Sequence, residues 1–168
     1  MAIVRFLRRR QWVSIGASII LGLILLTAGL GKILNPGQPV GIAFNPFSGF
    51  LATYLDQIVH VNLPRVEVLV GALLLFGIAA RLMAAVAGAM TLGYAANNAF
   101  LLSQGRGYEP CSCLGAIDRL IGAQLSTRGS LTIDIIMLIL ALVIIPGYRQ
   151  DFLDMNPWFV RSKAPKDS

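Results

Sequence analysis

From Val66 to Leu102 the only charges are Glu67 at the start and Arg81 in the middle. As one helix this run would be about 55 Å long, nearly twice the hydrocarbon thickness of a bilayer. Left exposed in water, it would display far more apolar surface than a soluble fold tolerates. The run is therefore expected to be a hairpin of two membrane-spanning helices, about 66–80 and 82–103, with Arg81 at the turn. Two further runs have the length of a span. Trp12 to Leu34 carries Lys32 as its only charge, and Gly129 to Ile145 carries only Asp134 before the helix-ending pair Pro146 and Gly147. The sequence thus reads as all-α: a polytopic membrane protein with a four-transmembrane-helix bundle over 12–34, 66–80, 82–103 and 129–147, in a single domain covering the 168 residues.

Composition agrees with that class. Hydrophobic residues make up 56% and charged residues 13% of the chain, about half the usual charged share, so a soluble enzyme and a disordered chain are both excluded. The net charge of +6 does not imply nucleic acid, because the bases sit at the two ends and in short segments between apolar runs. Arg5, Arg8, Arg9, Arg10, Arg81, Arg149, Arg161, Lys163 and Lys166 fall on one side, and Lys32, Arg65, Arg106, Arg119 and Arg128 on the other. This bias predicts both termini in the cytoplasm of a bacterial-type inner membrane. Arg9 and Arg10 before an apolar run faintly suggest a secretory or twin-arginine signal, but the run is long, lacks a clear small-residue cleavage site and is followed by three more spans. An uncleaved first helix is the favoured reading.

Residues 45–60 are too polar to span. Asn45 and Pro46 read as cap and first helical position, with Phe47, Phe50, Leu51, Tyr54, Leu55 and Ile58 recurring at helical spacing. This suggests an outer interfacial helix, either an anchor for the loop or a lid over a site beneath it, with the anchor preferred. The tail 148–168 is expected on the cytoplasmic surface.

The first and third helices run outward and the second and fourth inward, so Lys32, Asn97 and Asn98 are expected in one leaflet with Glu67 and Asp134, below the loop 104–128. Ionisable groups inside a membrane are costly and form a site hypothesis by default. Each has a plainer reading: Lys32 snorkelling to the headgroups, Glu67 and Asp134 stabilising helix N-termini, Asn97 on a packing stripe with Ala85, Ala89 and Gly93. His60 stands alone in the outer loop and reads as a surface residue.

Cys111 and Cys113, one residue apart between Pro110 and Gly115, are the most informative feature. A disulfide closing so small a ring is strained and readily reduced, which makes it a poor staple and a plausible redox pair. An inert local disulfide ranks second. A metal site ranks last, since zinc needs about four ligands and only His60, Glu109 and Asp118 could add to the two sulfurs.

Ala28-Gly29-Leu30-Gly31-Lys32-Ile33, Glu67 followed by Gly71 and Gly77, Arg81, and Cys111-Ser112-Cys113-Leu114-Gly115 together resemble the DoxX-like superfamily, and its MauE branch most closely. Leu114 and Ser112 stand where that branch favours phenylalanine and often glycine. The resemblance spans about residues 12–147. It implies a redox-associated membrane protein that acts beside thioredoxin-like proteins in maturing disulfide-rich periplasmic partners, with Cys111 and Cys113 as the catalytic dithiol and Lys32 and Glu67 as a polar pair within the bundle. Quinone is the one cofactor it suggests, through the thiosulfate:quinone oxidoreductase subunit among DoxX-like proteins. The rival reading is a non-catalytic small accessory subunit that stabilises a larger membrane complex for electron transfer. A small transporter ranks third, for want of an inverted repeat and broken helices. The second cysteine pair of quinone-linked disulfide-forming enzymes is absent, which implies dependence on a partner.

Overall fold

A computed structural model describes residues 2–34, 50–108 and 126–147, with side-chain surroundings from Trp12 in the first stretch and from Val61 in the second. Four helices account for nearly all of them: α1 (Ala2–Leu34), α2 (Phe50–Phe76), α3 (Ala80–Ser103) and α4 (Thr127–Gly147). The portions Trp12–Leu34 and Thr127–Gly147 are long and apolar enough to cross a membrane.

The segment expected as a separate interfacial helix differs from the sequence reading. Residues 45–49 lie outside the described residues, and from Phe50 onward the chain is one helix with the second expected span, continuing through Pro64. An internal proline removes one backbone hydrogen bond and kinks or breaks most helices, but packing against neighbouring helices lets a membrane helix tolerate it. Here the Pro64 region lies against Gly29 of α1.

The hairpin turn also lies elsewhere. Gly77 at φ 70° and Ala79 at φ 45° reverse the chain, and Arg81 is already in the first turn of α3. Gly77 N donates to Leu74 O at 3.1 Å and Ile78 N to Leu73 O at 3.0 Å, the paired bonds of a Schellman stop with glycine in the left-handed position. The same device ends α3. Gly105, at φ 79°, donates to Leu102 O at 3.0 Å and Arg106 N to Leu101 O at 3.1 Å.

Each helix packs on the next in a ring, with α1–α2 and α3–α4 the broad contacts and α1–α4 and α2–α3 closing it. The core is Leu21, Leu25, Val70, Leu74, Met137 and Ile144, with alanines at 17, 80, 84, 87 and 141. Buried positions advance in steps of three, four or seven, as in Ala80, Ala84, Ala87, Thr91 and Asn98 of α3 and Ser130, Asp134, Met137, Ala141 and Ile144 of α4. That period places one stripe per helix inward and suits shallow-angle helix packing. Outside, the same helices expose Ile20, Leu23, Leu69, Phe76, Leu92 and Ile139. Inside, Ser14, Ser18, Glu67, Asn98, Ser130 and Asp134 are all buried. Large apolar side chains thus cover the outside while several polar ones are buried beside the apolar core, an arrangement that favours lipid over water as the surrounding solvent.

Glycine sets the closest approach. A Cβ on Gly71 would sit 2.8 Å from Gly22 O and from Leu26 N, and one on Gly29 would sit 2.8 Å from Pro64 O. Side chains there would force α1 and α2 apart.

Candidate polar site between the helices

Lys32 lies in the last turn of α1, one turn after Gly29, where the close approach brings α2 within reach. Its Nζ is 2.6 Å from Glu67 Oε1, and the two side chains are 6% and 1% exposed. The ammonium also sits 5.0 Å from the centre of the Tyr94 ring, whose hydroxyl donates to the same carboxylate oxygen. A cation over an aromatic face and against a carboxylate is satisfied on two sides. Lys32 therefore does not snorkel to the surface. Nor is Glu67 at a helix start: it is well inside α2, which begins at Phe50.

On the other half of the ring, Asn98 Nδ2 donates to Asp134 Oδ2 at 2.7 Å and to Ser130 Oγ at 3.1 Å. Ser130 and Asp134 are one helical turn apart on α4, so a single amide on α3 engages both. Asp134 lies two turns into α4, deeper than an N-terminal carboxylate.

Between the two halves lies a cavity of about 20 Å³, walled by Ile24, Leu25, Ala28, Ile133 and Met137 and by the polar groups of Glu67, Tyr94, Ser130 and Asp134. One water needs about 10–15 Å³ on this measure, so the space is of the order of a single water. A quinone ring does not fit it. Among the described residues Glu67 Oε2 is buried without a hydrogen-bond partner.

The structure gathers Lys32, Glu67 and Asp134. Asn97 is only half-buried, and its neighbour Asn98 supplies the interior amide. The expected stripe of Ala85, Ala89, Gly93 and Asn97 is not the packing face: Ala89 and Gly93 are exposed, and nothing lies within 4 Å of a Cβ placed on Gly93. The sequence places Asn98 beside Asn97 at the outer end of its helix but favours Asn97 for the interior, and it gives no expectation for Tyr94 or Ser130. Their signal was available: Tyr94 and Asn98, like Ser130 and Asp134, are polar pairs four apart in otherwise apolar helices. His60 falls within α2. Cys111 and Cys113, with Glu109 and Asp118, lie outside the described residues.

Residues 10–147 match the family model described as methylamine utilisation protein MauE. The chain belongs to the MauE family. The match takes in all of the polar site and both cysteines, and MauE proteins are membrane proteins. No curated protein and no solved structure matches the chain.

Proposed function

We propose that this MauE-family protein is a membrane accessory protein of methylamine utilisation that exchanges disulfides through Cys111 and Cys113 with a thioredoxin-like or disulfide-rich partner outside the cytoplasmic membrane. The observation that carries the reading is the family match, which includes Cys111 and Cys113 as well as the helices. The helical frame adds support. The cysteine segment leaves α3 five residues after Asn98 and enters α4 three residues before Ser130, so it is tethered at the end where the buried polar groups gather. In this reading the four helices form a membrane-spanning bundle with both termini cytoplasmic, and the wider likeness is to DoxX-like proteins.

The chemistry balances without a further reagent. A thiolate of the pair attacks a partner disulfide, one partner thiolate leaves, and a mixed disulfide forms. The second cysteine then displaces the other partner sulfur. The partner ends as a dithiol and the pair as a disulfide, or the reverse when the partner is to be oxidised. Because a quinone ring does not fit the interior cavity, the reading stops at exchange with the partner.

The test uses cells that depend on methylamine. Cys111→Ser and Cys113→Ser, each expressed alone and acid-quenched, should yield a mixed disulfide to a partner through the remaining thiol on non-reducing gels, and the double variant should lose methylamine-dependent growth. Growth of the double variant at the native rate refutes disulfide exchange and leaves a non-catalytic accessory subunit.

A further inference from the structure

The charges of the interior do not balance. Among the described residues the groups that face the cavity or pair with those that do are Lys32 from α1, Glu67 from α2, Tyr94 and Asn98 from α3, and Ser130 and Asp134 from α4. One ammonium stands against two carboxylates. If all three are ionised, the buried cluster carries a surplus negative charge, and an uncompensated charge taken out of water neutralises by binding a proton in preference to remaining ionised.

The hydrogen-bond ledger points the same way. Glu67 Oε1 already accepts from Lys32 and Tyr94, and Asp134 Oδ2 accepts from Asn98. Glu67 Oε2 accepts from no described group, although Glu67 is 1% exposed. The cavity that Glu67 lines is also lined by Tyr94, Ser130 and Asp134, two hydroxyls that donate or accept and a second carboxyl group. Its volume of about 20 Å³ suits one water, and the four polar side chains that line it are enough for the two to four partners that a buried water needs.

We propose that the interior of this protein is a proton-binding site: one exchangeable proton, shared between Glu67 and Asp134 through a single water in the cavity, with Lys32 fixing the count at one. The proposal is independent of the disulfide reading, since it uses neither cysteine. The ligand is a proton from bulk water. Binding it converts one carboxylate to a carboxylic acid, and releasing it restores the surplus charge; no electron moves.

The count is what the experiment reads. Infrared spectroscopy of the full chain in lipid bilayers at neutral pH distinguishes protonated carboxyl groups from carboxylates. The native protein should show one protonated carboxyl per chain. Glu67→Gln and Asp134→Asn each leave one cation and one anion, so each should show none. Lys32→Met leaves two anions and no cation, so it should show two. The native band should shift in heavy water, and isotopic labelling of aspartate or of glutamate should move it, assigning the proton without any variant. No protonated carboxyl in the native protein overturns the proposal, as does a band that survives both Glu67→Gln and Asp134→Asn, or a Lys32→Met count unchanged from native. Native counts should agree in sodium and choline buffers; a count that falls to zero in sodium makes the occupant a metal cation and also overturns it.

Discussion

Breaking the Lys32–Glu67 pair from one side should cost far more than removing both charges together. The pair is separated by 2.6 Å with side chains 6% and 1% exposed, so it belongs to the buried class. For such pairs, deleting one partner costs about 3–5 kcal/mol while replacing both is often neutral. One detail places Glu67→Gln near the lower end, at about 3 kcal/mol: the amide oxygen still accepts from Tyr94. Lys32→Met strands a carboxylate that can escape by protonation. Neutralising a glutamic acid of ordinary pKa about 4.3 at pH 7 costs about 3.7 kcal/mol, and that sets the ceiling. The double variant should cost about 1 kcal/mol, chiefly for imperfect packing.

The assay is reversible unfolding in mixed micelles of a mild and a denaturing detergent, followed by circular dichroism for the native chain, the two single variants and the double variant. The cycle should return a coupling of at least about 2 kcal/mol, against the few tenths expected for independent sites. The coupling should also hold at high salt, because screening acts on exposed charges and hardly on buried ones. Costs that add to within about 0.5 kcal/mol would refute the reasoning: Lys32 would then be solvated in the folded protein, and the two groups would not share a desolvated contact.

Gly71→Ala should destabilise by about 1–3 kcal/mol in the same assay, since its new methyl would lie 2.8 Å from the backbone of α1 at two points. Gly16→Ala, with nothing within 4 Å, should be neutral or gain up to about 1 kcal/mol from helix propensity, so the pair separates close packing from intrinsic preference. Asn98→Leu should cost about 1–3 kcal/mol by leaving Asp134 and Ser130 without their shared donor, and Asn97→Leu less, because Asn97 is half-buried. Equal costs at the two asparagines would contradict the phase of α3.

That phase marks the limit of what the sequence discloses. Run length and charge spacing suffice for four helices, because a long apolar stretch in this class has few alternatives to being helical. Helix ends are less accessible to such reasoning. The charge of Arg81 suggested a turn at that residue, whereas the left-handed backbone at Gly77 is what stops α2, and a charge marks polarity but not backbone geometry. Phase is the hardest element. In a water-soluble helix the apolar stripe faces in, but here Ala89 and Gly93 are exposed while Ala84 and Ala87 are buried, and small apolar residues are at ease on both sides. Only the polar residues fix the rotation. Asn97 and Asn98 differ by about 100° around the axis, so choosing between them requires Tyr94, one turn earlier on the interior stripe.

The same logic makes Ala28-Gly29-Leu30-Gly31-Lys32 one device, although its glycines and its lysine look like separate features along the chain. Helix axes packed through ordinary side chains lie about 8–10 Å apart. Gly29 sits against Pro64 O, the side chain of Val68 and the Cβ of Glu67, so the backbone of α1 lies almost on α2 just where the acid emerges. Lys32, one turn later on the same face, meets that acid while its stem remains buried. Widen the gap with a larger residue at position 29 and the ammonium must either stretch away from Tyr94 or leave Glu67. A bulky residue at Gly29 should therefore loosen the charge pair without touching either charge. In the double-mutant cycle, Gly29→Leu should bring the Lys32–Glu67 coupling down to below about 1 kcal/mol, and a coupling left at its native value would show that the helix approach and the ion pair are independent.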